Sequence, residues 1–335
     1  MRLGARGAWK LTLAIGIASV AACGGSGGSG GSSAPAGRTL TPTDPETDGP
    51  LAFTSSTLTF DGEGFGTYSA TAFVPAPDGQ NEPWPSVVLL NGLSATAPMM
   101  TWLSDHLASH GYVVLAVTPP NPFSLDVTQW ARGFIDGAST LESESARSGS
   151  PLAGQVDSAR LGAIGLSMGG AGALEAAGTD PRFAAVVSLA PGWSDYAKFL
   201  FQDTLAAAGK ITTPTQIQRG SEDCLVPADG PLGYYAAVPA RKQYLEIHGG
   251  DHIGYINDGL ATVAGPIVFD AVPIDCPTTV PYEEQHRLGG KYATMWFDTY
   301  LYGSDHWSDA LYGSGFAADL ASGALSQGMT SAPQP

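Results

Sequence analysis

The sequence predicts an α/β fold, a mostly parallel sheet with helices on both faces, on three observations. Short, continuously apolar runs recur at Val87–Leu90, Tyr112–Val117, Leu161–Ile164 and Phe183–Leu189, as strands buried on both faces require. Stretches with helical patterning lie between them, at Met99–Ser109, Leu125–Glu144 and Met168–Ala177, and strand–helix–strand alternation implies parallel pairing. The 44 glycines and 25 prolines among 335 residues call for many turns and weigh against an all-helical bundle.

Before these runs, Thr67–Val74 alternates polar and apolar residues and reads as a half-exposed antiparallel strand. Two further strands are expected at Thr213–Ile217 and Gln243–Ile247. A last helix spans Tyr282–Leu301, with Leu288, Tyr292, Met295, Trp296 and Tyr300 on one stripe. The folded domain is therefore placed at 51–312. Ala34–Pro50 is rich in Pro, Thr, Asp and Gly and reads as linker, and 313–335 as a loosely attached tail.

Residues 1–22 read as a leader. Arg2, Arg6 and Lys10 precede the apolar run Leu11–Val20, which ends in small residues and is too short for a permanent membrane span. Val20-Ala21-Ala22-Cys23 resembles the bacterial lipobox, in which the cysteine is lipidated. The alternative is an ordinary signal cleaved near Ala22. Gly24–Ser33 is a Gly/Ser string, so 23–50 is expected to be a lipidated Cys23 followed by a flexible tether. Export, with membrane contact only through the lipid, follows. The remaining cysteines, Cys224 and Cys276, suit a disulfide in an exported protein, worth about 4 kcal/mol on the chain-entropy model, or else two buried thiols. A net charge of −16 argues against a nucleic-acid partner.

The chemistry centres on Ser167. Gly165-Leu166-Ser167-Met168-Gly169 follows an apolar strand and opens a small-residue helix. The glycines permit a sharp turn that presents the hydroxyl at the carboxyl edge of the sheet. A serine hydroxyl needs a base to take its proton, and an acid to orient that base. Of six histidines, His252 follows a Gly-Gly turn after a strand and can swing over the serine, whereas His248 belongs to the strand end. Asp223, in the loop after Thr213–Ile217, is the acid, with Glu222 and Asp251 as competitors. The oxyanion donors are expected to be the backbone N–H groups of Met168 and of Leu93, in the loop Asn91–Ala95.

Asn91–Ala95, Leu107–Val114, Gln155–Gly162, Gly165–Gly170, Gly220–Pro227 and Tyr244–His252 occur in one order and at similar spacing to the bacterial cutinase and poly(ethylene terephthalate) hydrolase group. That group lies within the dienelactone-hydrolase-like α/β-hydrolases. The resemblance runs from roughly Leu51 to Gly259. It implies Ser167 as nucleophile, Asp223 as acid, His252 as base, Leu93 and Met168 as oxyanion donors, and Leu93, Met168 and Trp193 as substrate contacts. Three departures bear on substrate. Leu93 stands where the family usually has an aromatic residue. Gly192 displaces Trp193 from its usual place after Ala-Pro. Residues 261–280 form a longer stretch, with Cys276 out of the family's cysteine position, and read either as a lid or as surface filling.

The expectation is an exported, monomeric serine carboxylic-ester hydrolase acting on polyester or cutin-like substrates, with no metal or organic cofactor. The alternatives are a short-chain carboxylesterase or lipase for small soluble esters, a serine peptidase, and a non-catalytic surface-binding lipoprotein of the same fold.

Overall fold

Trp84–Leu90 is buried at every position, and its side chains alternate between two separate cores, Val88 and Leu90 in one and Val87 and Leu89 in the other. That is the pattern of a strand in the middle of a sheet covered on both faces. In the computed structural model, which describes residues 37–192, 202–257, 276 and 279–331, this strand is β3. It follows β1 (Phe53–Gly62) and β2 (Gly66–Pro75), and precedes β4 (Val113–Thr118), β5 (Val156–Leu166), β6 (Phe183–Leu189), β7 (Thr215–Gly220), β8 (Lys242–Ile247) and β9 (Leu325–Thr330). The described residues form one nine-stranded sheet in the order β1-β2-β4-β3-β5-β6-β7-β8-β9. Strands β3 to β8 pair in parallel, while β1, β2 and β9 join antiparallel at the two edges.

Helices α1 (Thr101–Ser109), α2 (Val127–Ala146), α3 (Met168–Thr179), α4 (Gln202–Ala208), α5 (Asp229–Ala237) and α6 (Tyr282–Tyr300) fill the connections. Trp130 and Phe134 of α2, Leu174 of α3 and Tyr234 of α5 cover one face, with Leu103 of α1 and Tyr292 and Trp296 of α6 on the other. Helix α2 starts where the Asp126 side chain accepts the Thr128 N–H at 3.0 Å, a cap worth about 1 kcal/mol. After β3 the chain moves to one side of that strand to build β4, then crosses to the other side to build β5. The reversal falls at the carboxyl ends of β3 and β5, the usual ligand position of such sheets.

Two expectations at the chain ends are corrected. Residues 313–331 are not a loose tail: helices α7 (Ser308–Tyr312) and α8 (Ser314–Ser322) lead into β9, which extends the sheet beside β8. Phe316 and Leu325 are buried there, two apolar anchors too sparse to form a periodic pattern. Part of the expected linker is also ordered. The Arg38 guanidinium lies 3.1 Å over the Trp84 ring and donates to Glu82 O, and the Gly49 N–H donates to Ser109 Oγ at 2.8 Å. These anchors are polar and scattered, so a composition reading misses them. The leader, Cys23 and the first part of the tether fall outside the described residues, as do Trp193 and most of 261–280.

Deleting residues 314–335 would uncover the edge of β8 and the Phe316 and Leu325 sites. The expected outcome is a melting temperature lowered by more than about 5 °C. An unchanged melting curve would restore the loose-tail view.

Candidate active site

At the strand reversal, backbone passes very close to backbone. Ser167 sits between β5 and α3 at φ 56°, ψ −115°, a region a non-glycine residue enters at a cost of roughly 1–3 kcal/mol. It is held there by its own N–H, which donates to Leu189 O at 2.8 Å, and by its carbonyl, which accepts from Ala171 N at 2.9 Å. A Cβ on Gly165 would lie 2.4 Å from the Gly169 carbonyl, and one on Gly169 would lie 2.3 Å from Leu90 O. Only glycine fits at either position.

The loop after β3 packs against this turn. A Cβ on Gly92 would lie 2.8 Å from the Ser167 Cβ and 3.4 Å from its Oγ. The loop is fastened by Asn91 Nδ2, which donates to Thr96 O at 2.6 Å, by Ala95 N to Gly92 O at 3.1 Å, and by Ser94 N to Pro122 O at 2.6 Å. Leu93 therefore follows directly on the residue that touches the serine. Met168 is the first residue of α3, so its N–H is among the first-turn amides that have no partner within the helix. The Met168 side chain, in contrast, is buried in the α2–α3 core and offers a substrate little surface, whereas Leu93 is half-buried.

Asp223 and His252 meet directly. Asp223 is buried in the loop after β7 and accepts three hydrogen bonds, from Leu225 N at 3.0 Å and Val226 N at 2.8 Å on Oδ1, and from His252 Nδ1 at 2.9 Å on Oδ2. Glu222 instead accepts from Ser221 Oγ, and the Asp251 carboxylate takes the Gly254 N–H. His248 is exposed, with its backbone N–H bonded to Ala324 O beside β9. Burial of the His252 ring opposes its protonation. The Asp223 carboxylate, with a smaller contribution from Asp251, outweighs that and holds the imidazole above its ordinary value of 6.5.

Two supports hold these loops, and the first carries no sequence signal. Gln285 of α6 is fully buried, accepts from Asp251 N at 3.0 Å and donates to Asp251 O at 2.7 Å, which fixes the backbone just before His252. Nothing about a glutamine on an amphipathic helix marks it as such. Cys224, next to Asp223, is disulfide-bonded to Cys276 with a Cα–Cα separation of 5.4 Å, which decides between the bridge and the free thiols.

A model of the PET hydrolase-like family matches residues 19–268 of the chain. The chain belongs to that family. The fold of the PET hydrolase-like family is the α/β-hydrolase fold, in agreement with the mostly parallel sheet. Among curated relatives, the chain is similar to cutinase 1 of Thermobifida cellulosilytica, 28% identical over 56% of this chain and 66% of that protein. It is also similar to a cutinase of Thermobifida fusca, 28% identical over 56% of this chain and 58% of the relative. A bis(hydroxyethyl) terephthalate hydrolase of Streptomyces coelicolor is 30% identical over half of each chain. The matched region thus spans between half and two thirds of these relatives' own length.

The His252 imidazole is expected to titrate above 6.5 when followed by NMR, and in Asp223→Asn to titrate lower, because the carboxylate that favours the imidazolium is gone. A ring titrating at or below 6.5 in the parent protein would mean that burial outweighs the carboxylates and would overturn this charge balance.

Proposed function

We propose that this member of the PET hydrolase-like family is a serine carboxylic-ester hydrolase with Ser167, His252 and Asp223 as its triad. The observation that carries the reading is the buried Asp223–His252 hydrogen bond, on the same sheet edge as a serine held at positive φ. In this mechanism His252 Nε2 takes the Ser167 proton as Oγ attacks the ester carbonyl carbon. Asp223 keeps the Nδ1–H tautomer and stabilises the imidazolium. The N–H groups of Leu93 and Met168 bind the oxyanion, each worth roughly 3 kcal/mol in the transition state. The tetrahedral intermediate collapses, the alcohol leaves with the proton from His252, and an acyl-Ser167 remains. Water, deprotonated by His252, attacks that acyl group, and the acid is released as Ser167 takes back its proton.

The proposed substrate is a polyester or a cutin-like polymer. The names of the relatives support this, and so does the loop between β4 and α2. Phe123 and Leu125 on that loop are 63% and 53% exposed, and the loop is tied through Pro122 O to Ser94 of the oxyanion loop. Large apolar side chains in water beside a reaction site suit an apolar, extended substrate better than a small soluble one. Ser167→Ala is expected to abolish hydrolysis of both a soluble butyrate ester and amorphous poly(ethylene terephthalate) film while leaving the fold intact. Replacing Phe123 and Leu125 together by Asp is expected to lower film hydrolysis at least fivefold with little change on butyrate, on the order of 1 kcal/mol of lost apolar contact. Turnover retained by Ser167→Ala would remove the triad assignment. Butyrate turnover without film hydrolysis in the parent would leave a short-chain esterase.

Export and a lipid anchor at Cys23 are proposed with the activity, on the leader sequence and the Gly/Ser tether. Cys23→Ser is expected to move the protein from the membrane fraction to the soluble exported fraction. An unchanged distribution would reject the anchor.

A further inference from the structure

One charged pair beside the candidate triad has no part in the reaction described above. Arg219 on β7 and Glu246 on β8 are register partners across the parallel pair. Arg219 Nη1 donates to Glu246 Oε2 at 2.6 Å, with the two side chains only 6% and 12% exposed. The other terminal nitrogen, Nη2, donates to the backbone carbonyl of Asp223 at 2.9 Å. Glu246 is itself held by Tyr244 OH at 3.0 Å and by Ser326 Oγ of β9 at 2.7 Å. A continuous set of hydrogen bonds thus runs from the C-terminal strand, through both members of the pair, to the main chain of the residue that orients His252.

We propose that Arg219 and Glu246 together are a positioning device for His252: Arg219 fixes the Asp223 loop through its carbonyl, and Glu246 offsets the buried guanidinium charge that the imidazole would otherwise feel. The proposal rests on the reading of His252 as the base. A buried ion pair is weak as a source of stability, because desolvation offsets most of the attraction. Its position against the acid's backbone gives it a different use. The charges acting on the His252 ring are the carboxylates of Asp223 and Asp251, which favour imidazolium, and Arg219, which disfavours it. Arg219 in turn faces Glu246, Asp223 and the Tyr244 hydroxyl, and Tyr255 from the turn after His252 faces it as well. Gln285 packs on the same loop without a charge.

The two single substitutions therefore have opposite signs. Arg219→Met removes a cation and leaves Glu246 uncompensated, so the imidazolium is favoured and the acid limb of kcat/KM moves to higher pH. Glu246→Gln keeps the shape and an acceptor for Arg219 but leaves the guanidinium uncompensated, so the limb moves to lower pH. The double variant returns the limb towards the parent value, because both charges are gone. It still loses the grip on the Asp223 carbonyl, so its kcat falls roughly tenfold with KM little changed.

The experiment uses the full chain in four forms: parent, the two singles and the double. The readouts are the pH profile on a soluble butyrate ester and an NMR titration of the His252 imidazole. Opposite displacement in the singles and its cancellation in the double is the expected result. Displacement in the same direction, or none, overturns the proposal and leaves an ordinary structural pair. If Arg219→Met does not fold, Glu246→Gln and the double decide, since a lower limb in the first that is reversed in the second has no other source. An absence of Ser167-dependent turnover in the parent would remove the esterase reading alone, because the NMR titration still tests the charge balance on the ring.

Discussion

The close approach of three backbone segments at the strand reversal is the constraint on which the site depends. Ser167 turns at positive φ because the end of β3, the end of β5 and the first turn of α3 leave room for nothing bulkier than hydrogen at Gly165 and Gly169. Gly92 brings the β3 loop onto the same serine for the same steric reason. The cost of the strained serine is small against a sheet whose central strands are buried on both faces, and two hydrogen bonds at 2.8 and 2.9 Å hold it in place. Displacing any of the three segments would relax the turn and shift the Ser167 hydroxyl relative to the β3 loop.

The Asp223–His252 end is held by a different kind of force. Asp223 is surrounded by donors, His252 by carboxylates, and the loops that carry them are tied to α6 by Gln285, to Cys276 by a disulfide and to β9 through Arg219, Glu246 and Ser326. These supports are polar, covalent or charged rather than steric. They come from residues 276, 285 and 326, far along the chain from the loops they hold.

That division explains what the sequence disclosed. The central strands and the three helices between them were legible because burial on both faces writes long apolar runs, and the Gly165–Gly169 turn was legible because steric exclusion of every side chain but hydrogen leaves glycines at fixed spacing. Asp223 and His252 followed from their places just after predicted strands. Gln285 and Arg219 were not legible, since a buried glutamine and a buried arginine look like any others until their partners are known. The same holds for β9: Leu325-Ser-Gln-Gly-Met-Thr330 has a single fully buried apolar residue and becomes a strand because β8 offers it an open edge. Arg38 escaped notice for a related reason, as a cation stacked on Trp84 leaves no pattern in composition.

The same division separates the site's responses to its surroundings. Among the described residues, the packing and backbone hydrogen bonds that shape the Ser167 turn come from glycines, Leu166, Leu189, Asn91 and backbone amides, none of them titratable. Its shape should therefore be indifferent to pH and salt, and sensitive to any added methyl group. The His252 end is the reverse. His252 is poised by the difference between burial, which favours the neutral ring, and the Asp223 and Asp251 carboxylates, which favour the charged one. A small change in either moves the balance. In the proposed mechanism the hydroxyl is activated only when the ring is neutral, so the pH response would pass through one imidazole, while the orientation of the serine is fixed beforehand by packing.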